Sequence, residues 1–326
     1  MKVTLIGKKN HLRWVEQLND GFNKSNINSE IVYTNEFTLF ERIMIFLRIK
    51  NRNSILLEKI NKLNSDLIFC VSPHFLSDKF SQMIKNNFLD KLKFCWIGDK
   101  ISEDYNDEII NKLSPYDIAY VTDFGVLDFI NSNNIHKNTV YLPLAANDTL
   151  FSRTNTTKRD NYLLFIASPS SERANILKNI KNIKIKIIGK KWLDYLTADE
   201  NITILNKNIS REELVKEYNN AKYILNIKDS RNCISGINQR FFEGYLCGAF
   251  VLQDYVDDLK LCFENEIVTY NSVEEINSII KIMDQNDETY IQNIETTRNE
   301  ILKKHLFIHR VSSIVDNFNE LKNSRF

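Results

Sequence analysis

The sequence predicts an α/β protein with two parallel β-sheets, and three observations support this fold class. Short apolar runs rich in β-branched residues alternate with longer helical stretches, which is the pattern of β-α-β units. This rhythm stops at a polar stretch over residues 147–161 and then begins again. The 326 residues also exceed the roughly 250–300 at which single hydrophobic cores usually divide. We therefore expect two α/β domains, residues 1–150 and 151–304, and a C-terminal helix in residues 305–326 that returns to the first domain.

In the first half, six apolar runs predict strands: Lys2–Ile6, Ile31–Tyr33, Asp66–Val71, Lys93–Ile97, Ile118–Val121 and Thr139–Leu142. Helical periodicity predicts helices over His11–Lys24, over Phe37–Leu63 in two pieces, and over Phe75–Leu92.

The second half repeats this organisation. The predicted strands are Tyr162–Ile166, Ile183–Ile188, Ile202–Leu205, Tyr223–Ile227, Phe250–Gln253 and Ile267–Tyr270. The predicted helices are Glu172–Ile180, Ser210–Asn219, Gln239–Leu246, Val273–Gln285, Asp287–Lys304 and Phe307–Lys322. Two consecutive α/β units without an internal short repeat indicate two Rossmann-like domains that face each other across a cleft.

Composition excludes several classes of protein. Lysine and arginine (43) nearly balance aspartate and glutamate (42), which argues against a nucleic-acid binder that relies on a basic field. The five cysteines lie mostly in apolar segments and form no CxxC pair, so neither a disulfide framework nor a structural zinc site is expected. No apolar run approaches the roughly 20 residues of a membrane span. We expect a soluble, cytoplasmic protein without a signal peptide.

The densest candidate site is the segment Gly236–Asp254. Gly236 lies in a loop that opens a helix at about Asn238, where free backbone N–H groups and Arg240 are suited to a diphosphate. Glu243 follows one turn later, and its carboxylate is suited to a ribose diol. The alternative interpretation is an amphipathic helix in which Glu243 bonds a neighbouring lysine.

Within this segment, Arg240–Leu252 resembles the donor-site helix of GT-B glycosyltransferases, specifically the CgeB-like (spore maturation protein) branch of the group 1 superfamily. Six other segments resemble parts of this branch and have the same order along the chain: Trp96–Asp99, Tyr141–Asp148, Phe165–Arg173, Ile188–Trp192, Glu264–Glu275 and Lys304–Arg310.

The resemblance implies a nucleotide-sugar donor bound by the second domain and an acceptor bound by the first. It implies that Glu243 holds the donor ribose, that Arg240 and Arg173 lie near the diphosphate, and that the loop from Asn206 contacts the nucleobase. It also implies a bacterial role in polysaccharide biosynthesis, with a surface-glycan, lipid-linked or protein acceptor. One departure is Ser235, which stands eight residues before Glu243 where many group 1 enzymes have a glutamate. A catalytically inactive, sugar-nucleotide-binding partner subunit is therefore the alternative function.

The chemistry of sugar transfer identifies further candidates. Negative charge builds on the leaving phosphate and, without a metal or other cofactor, must be met by cations and helix N-termini. We expect the arginines to contribute more than Lys190 or its neighbour Lys191, because a guanidinium binds phosphate through two hydrogen bonds. An inverting enzyme also needs a base for the acceptor hydroxyl. Asp99 is the first candidate, with a helix N-cap as its alternative role, and His74 and His11 are weaker candidates.

Two further segments have competing interpretations. The acids of Asp254–Asp258 are close together in sequence, but we do not expect a metal site there. The basic and apolar segment Arg42–Lys50, with Arg52 nearby, is typical of a helix on an anionic membrane surface. Its alternative is a core-packed helix with a solvated basic edge. Membrane contact would place the protein at the inner face of the membrane.

Overall fold

In a computed structural model, which describes residues 1–10, 13–101, 106–154 and 159–324, the chain forms two compact units. Unit 1 comprises Met1–Leu144, Ser230–Gly236 and Phe307–Phe326. Unit 2 comprises Ala145–Asp229 and Ile237–Leu306. The sequence did not predict that the short segment 230–236 belongs to unit 1.

Unit 1 contains a six-stranded parallel sheet in the order β2-β1-β3-β4-β5-β6. Its strands are β1 (Lys2–Gly7), β2 (Asn28–Tyr33), β3 (Leu67–Val71), β4 (Leu92–Ile97), β5 (Ile118–Val121) and β6 (Thr139–Tyr141). Its helices are α1 (Trp14–Lys24), α2 (Leu39–Phe46), α3 (Arg52–Leu63), α4 (Asp78–Asn87), α5 (Asn106–Leu113), α6 (Phe124–Ser132) and α13 (Phe307–Ser324). Every residue of β3 and β4 is buried, as expected for parallel strands covered by helices on both faces.

Local capping explains where several of these helices begin. Thr38 and Glu41 form a capping box at the start of α2, and Asn51 caps α3. Ser77 caps α4, so this helix begins three residues after the predicted start at Phe75. Helices α5 and α6 were not predicted from the sequence.

The helix α2 differs from one of its two predicted environments. None of its residues is buried, so the interpretation as a core-packed helix is wrong. None of the described helices, α2 included, has the length and apolarity that a membrane span requires.

The C-terminal helix α13 packs in unit 1, which confirms the prediction that it returns to the first domain. Gly21 of α1 lies so close to it that a Cβ there would approach the Phe307 backbone to 3.1 Å. Phe307 meets Trp96 of β4 edge to face at 6.1 Å. The buried Arg310 donates hydrogen bonds to the carbonyl oxygens of Pro143 (2.6 Å) and Leu144 (2.9 Å). A buried, charge-assisted contact of this kind fixes the helix on the end of the sheet.

Unit 2 contains a second six-stranded parallel sheet, in the order β12-β11-β10-β7-β8-β9. Its strands are β7 (Asp160–Ile166), β8 (Lys184–Ile188), β9 (Ile202–Leu205), β10 (Ala221–Asn226), β11 (Phe250–Asp254) and β12 (Thr269–Tyr270). Its helices are α7 (Ser171–Asn179), α8 (Arg211–Asn220), α9 (Gln239–Leu246), α10 (Asp258–Cys262), α11 (Val273–Gln285) and α12 (Asp287–Lys304). The predicted α/β class with two parallel sheets is confirmed.

Asp123 fastens the segment 230–236 within unit 1. Its buried carboxylate accepts hydrogen bonds from the backbone N–H of Ile234 (2.7 Å) and from the backbone N–H and hydroxyl of Ser235 (3.1 and 2.9 Å). The same carboxylate caps α6 through the N–H of Val126. Ser235 in turn accepts from the Gly125 N–H at 2.9 Å. One side chain therefore holds both a helix start and a distant segment of the chain.

We predict that Asp123→Asn destabilises unit 1 by about 2 kcal/mol, because an amide NH2 would replace one acceptor and face these donors. Urea unfolding and hydrogen exchange of residues 230–236 would measure the effect. Asp128→Asn, an exposed position on the same helix α6, is the matched control. Equal stability of the two variants would contradict the role of Asp123.

Candidate functional sites

The first candidate site lies at the strand ends of unit 2. After β7 the chain adds β8 and β9 on one side of this strand and then β10 to β12 on the other. The strand order therefore reverses between β7 and β10. Ligands of open parallel sheets bind at such a reversal, outside the carboxyl ends of the strands.

The helix α9 begins at this reversal and is held there by its first turn. The Asn238 side chain caps the helix by accepting from the Arg240 N–H at 3.1 Å, and it also donates to the Asn226 side chain at the end of β10. The half-buried Arg240 guanidinium donates to the carbonyl of Ile166, the last residue of β7, at 2.7 Å. The helix start predicted at about Asn238 is thus joined to both central strands.

Glu243, one turn further along α9, is a buried acid without a hydrogen-bonding partner. Only 6% of the residue is exposed, and within the described ranges no donor, lysine or otherwise, reaches its carboxyl group. Burial raises the pKa of Glu243 to about 8, although the nearby Arg211 and Arg240 lower it. Buried polar groups are nearly always hydrogen-bonded. A buried acid with a perturbed pKa, on a helix that begins at the strand reversal, is therefore a candidate ligand-binding group.

Arg173 is buried, and the backbone of unit 2 already uses its guanidinium. Nη2 donates to the Ile227 carbonyl at 2.9 Å, and Nη1 donates to the Ser168 carbonyl at 3.0 Å and lies 3.4 Å from Asp229. Arg173 thus joins the loops that follow β7 and β10. The structure gives it a positioning role, and its direct contact with a diphosphate stays a prediction.

Lys190 and Asn206 are exposed residues at the ends of β8 and β9. The loop from Gly189 approaches the β7 loop closely, because a Cβ at Gly189 would lie 2.4 Å from the Ala167 carbonyl oxygen. The Trp192 indole donates to the same oxygen at 2.7 Å, and the Asn206 side chain accepts from the Trp192 N–H. The structure therefore brings both predicted residues to the edge of the sheet that carries Arg240.

Gly236 has its packing contacts outside unit 2, and its contribution to the donor site stays a prediction. It lies in unit 1, where a Cβ would come within 3.1–3.2 Å of the Asp123 side chain. The predicted loop is divided, because its first part is hydrogen-bonded to Asp123 and only the part from Ile237 onward leads into α9.

Asp254 has a structural role that was not predicted from the sequence. This carboxyl group accepts from the Lys228 N–H at 2.8 Å and from the Gln253 side chain, which joins the ends of β10 and β11. Burial raises its pKa to about 6. Over the described residues, no three histidine, cysteine, aspartate or glutamate side chains are grouped as a metal site.

The second candidate site lies in unit 1, where two predicted catalytic residues meet. His74 follows β3, Asp99 follows the adjacent strand β4, and His74 Nε2 lies 3.1 Å from Asp99 Oδ2. Lys112 supports the turn by donating to the His74 carbonyl at 2.9 Å. No backbone N–H of the described chain donates to Asp99, so its alternative role as an N-cap is not observed there. The third candidate, His11, lies outside the described residues.

A small cavity of about 20 Å³ adjoins this pair at the ends of β1 and β3. Gly7, Trp14, Ser72 and Phe75 contribute to its lining, and the Phe75 ring lies 4.0 Å from the His74 ring. The cavity lies at the strand reversal of this sheet, the equivalent of the reversal in unit 2.

Comparisons with known proteins concern the second half of the chain and the overall fold. Residues 173–316 match the model of a family described as glycosyl transferase-like. No curated protein matches the chain.

Among solved structures, sucrose-phosphate synthase from Thermosynechococcus elongatus is similar over 99% of this chain and 100% of its own, with a TM-score of 0.72 and 11% identity. The α,α-trehalose-phosphate synthase (UDP-forming) from Burkholderia vietnamiensis is similar over 98% of this chain and 100% of its own, with a TM-score of 0.66 and 10% identity. T4 phage β-glucosyltransferase in complex with UDP-glucose covers 99% of both chains, with a TM-score of 0.59 and 13% identity.

These similarities confirm the predicted GT-B fold. The narrower resemblance to the CgeB-like branch stays a prediction.

We predict that Glu243→Gln stabilises the protein as pH rises. The pKa of this acid is raised in the folded state, so the unfolded state loses its proton first and wild-type stability falls between about pH 5 and 8. A neutral amide removes that loss. The free energy of unfolding of Glu243→Gln should therefore exceed that of the wild type by on the order of 3 kcal/mol at pH 7 to 8. The melting temperature of both proteins across this pH range would measure it.

Glu300 is the matched control, since it lies in the same unit and is also 6% exposed. Burial raises its pKa, but hydrogen bonds from Glu264 and Asn265 outweigh burial and lower the pKa overall. Glu300→Gln should therefore lower the free energy of unfolding by about 1–3 kcal/mol at neutral pH. The same response in both variants would contradict our account of Glu243.

Proposed function

We propose that this protein transfers a sugar from a nucleoside diphosphate sugar to an acceptor hydroxyl, with the donor bound by unit 2 and the acceptor by unit 1. The observation that carries the proposal is Glu243, a buried acid without a hydrogen-bonding partner, one turn after Arg240 in the helix that begins at the strand reversal. The glycosyl transferase-like match over residues 173–316 covers this region. Solved structures of the same fold hold UDP-glucose or belong to a UDP-forming enzyme, so we propose a uridine diphosphate donor.

The nucleotide-sugar donor provides the hydrogen-bond donors that Glu243 lacks within the described chain. In its ionised form the carboxylate accepts hydrogen bonds from two ribose hydroxyls, and these contacts compensate for its burial. The loop from Asn206 contacts the nucleobase. Because these positions are separated along the sheet edge, the nucleotide lies across the ends of the central strands.

The leaving diphosphate is stabilised by positive groups at the start of α9. Arg240 and the helix N-terminus contribute to this stabilisation, together with Lys190. Arg173 acts mainly by shaping the two loops around the phosphates. The proposal needs no metal ion. A solved structure of the phage enzyme holds UDP and Mn²⁺, so transfer in the presence of EDTA is part of the test below.

Asp99 accepts the proton of the acceptor hydroxyl. One carboxylate oxygen is held by His74 Nε2 at 3.1 Å, and the side chain stays one third exposed, at 33%. His74 is therefore a positioning residue that orients the base. The acceptor is a surface glycan, a lipid-linked glycan or a protein, and cytoplasmic polysaccharide biosynthesis in bacteria is the setting that the family resemblance implies.

One observation favours the alternative function, a binding subunit without catalysis. The position eight residues before Glu243 is Ser235, which is hydrogen-bonded to Asp123 and Gly125 of unit 1. Ser235 therefore has a structural role, and this position does not provide the carboxylate with which many related enzymes contact the sugar.

We predict that a nucleoside diphosphate stabilises the wild-type protein by about 2.7 kcal/mol at 100 times its dissociation constant. The stabilisation should disappear in Glu243→Ala, because the ribose contacts are lost. Thermal shifts with UDP, GDP, dTDP, CDP and CMP in EDTA would measure this, and UDP should give the largest shift. Glu300→Gln is the control and should keep the shift. No shift with any nucleotide would refute the assignment of the donor site.

We further predict that Asp99→Asn lowers turnover by about 10²–10⁴-fold, since general-base catalysis contributes this much. UDP release from a panel of UDP-sugars in EDTA is the measurement, and the thermal shift by UDP should be unchanged. The exposed Asp90→Asn, in the same unit, should keep full turnover. Absence of turnover in the wild type, with nucleotide binding intact, would favour the binding subunit.

A further inference from the structure

An apolar surface on unit 1 has no cover within the described chain. Six of the seventeen large apolar side chains that are exposed in the described chain lie in one eleven-residue stretch of sequence. Phe40 and Phe46 are 70% and 84% exposed. Single exposed apolar residues are ordinary, but a cluster of this kind marks an interaction site. We call it the α2 patch, and its residues are Leu39, Phe40, Ile43, Phe46, Leu47 and Ile49.

The patch forms one face of a well-anchored helix. At about 100° per residue, the five positions from Leu39 to Leu47 that belong to it fall within an arc of about 120°. Glu41, on the opposite side, completes the capping box and pairs with Lys59 of α3 at 2.9 Å. The helix is therefore held to the unit by polar contacts on one side, and its apolar side faces outward.

The charges around the patch are predominantly positive. Arg42, Arg48 and Arg52 are exposed, and none of them forms an ion pair within the described part of the chain. The acids that flank the patch in sequence are each paired with a lysine, Glu36 with Lys9, Glu41 with Lys59 and Glu58 with Lys50. The outward apolar face lies beside three arginines that form no ion pair in the described chain. Together they complement a surface with negatively charged groups on the outside and an apolar layer beneath them.

We propose that unit 1 docks on an anionic phospholipid bilayer through the α2 patch. The apolar side chains enter the boundary between headgroups and acyl chains, and the three arginines contact lipid phosphates. The helix has eight residues and lies in the plane of the surface, consistent with the absence of a membrane-spanning helix from the described residues. The proposal does not depend on sugar transfer, because docking requires neither donor nor acceptor.

Sedimentation of the full chain with vesicles tests the proposal. The protein should bind vesicles of phosphatidylcholine and phosphatidylglycerol in a ratio of about three to one, bind phosphatidylcholine alone much more weakly, and dissociate as salt is raised. The double variant F40S/F46S should lower the partition coefficient by about 100-fold, because two aromatic side chains that would enter the bilayer are lost. The variant R42E/R48E should lower it by roughly 10-fold or more on the anionic vesicles.

Matched controls separate docking from general surface effects. Leu89→Ser removes an apolar side chain that is 76% exposed elsewhere in unit 1, and Lys85→Glu reverses an exposed charge on α4. Both variants should bind vesicles like the wild type. Circular dichroism melting should be unchanged in F40S/F46S, since neither phenylalanine is buried.

Three results would overturn the proposal. The first is a wild type that binds neither kind of vesicle, and the second is binding that F40S/F46S leaves unchanged. The third is a dimer in sedimentation velocity that F40S/F46S dissociates while vesicle binding is absent, which would identify a second copy of the chain as the occupant of the patch.

Discussion

The parallel direction of both sheets is the constraint on which the functional geometry depends. Parallel strands all end at one edge, and the loops and helix N-termini that follow them collect there. In each unit the strand order reverses beside the first strand, so the loops on either side of that strand diverge. Glu243 and Arg240 lie at the reversal in unit 2. The His74–Asp99 pair in unit 1 lies at the ends of β3 and β4, beside the cavity at the reversal.

Much of the polar chemistry at these edges is structural. Arg173, Asp254 and Asp123 are buried, or largely so, and bond to the backbone of neighbouring loops. Each such contact fixes loops whose own backbone groups lack regular partners. Glu243 differs because no group in the described chain donates a hydrogen bond to its carboxyl group, and we propose it as a binding group on the basis of this contrast.

The sequence predicted most elements closely and failed where contacts distant in sequence decide. Gln239–Leu246 and Val273–Gln285 were predicted to the residue, because Asn238 and Ser272 are strong capping residues and apolar periodicity continues between the ends. The helix over Phe37–Leu63 was rightly expected in two pieces. Periodicity shows that a helix has an apolar face but does not show whether another element covers that face, so the exposure of α2 could not be predicted.

The sequence by itself determined the α/β class, the two parallel sheets and the identities of the candidate residues, because strand and helix patterns and motif spacing are local properties of the chain. Only the tertiary structure decided which residues meet. It placed Asp99 against His74 because β3 and β4 are neighbours, assigned Gly236 to unit 1 through Asp123, and left Glu243 buried without a partner. Each of these outcomes depends on contacts between segments far apart in sequence, and such contacts leave no periodic signal in a single chain.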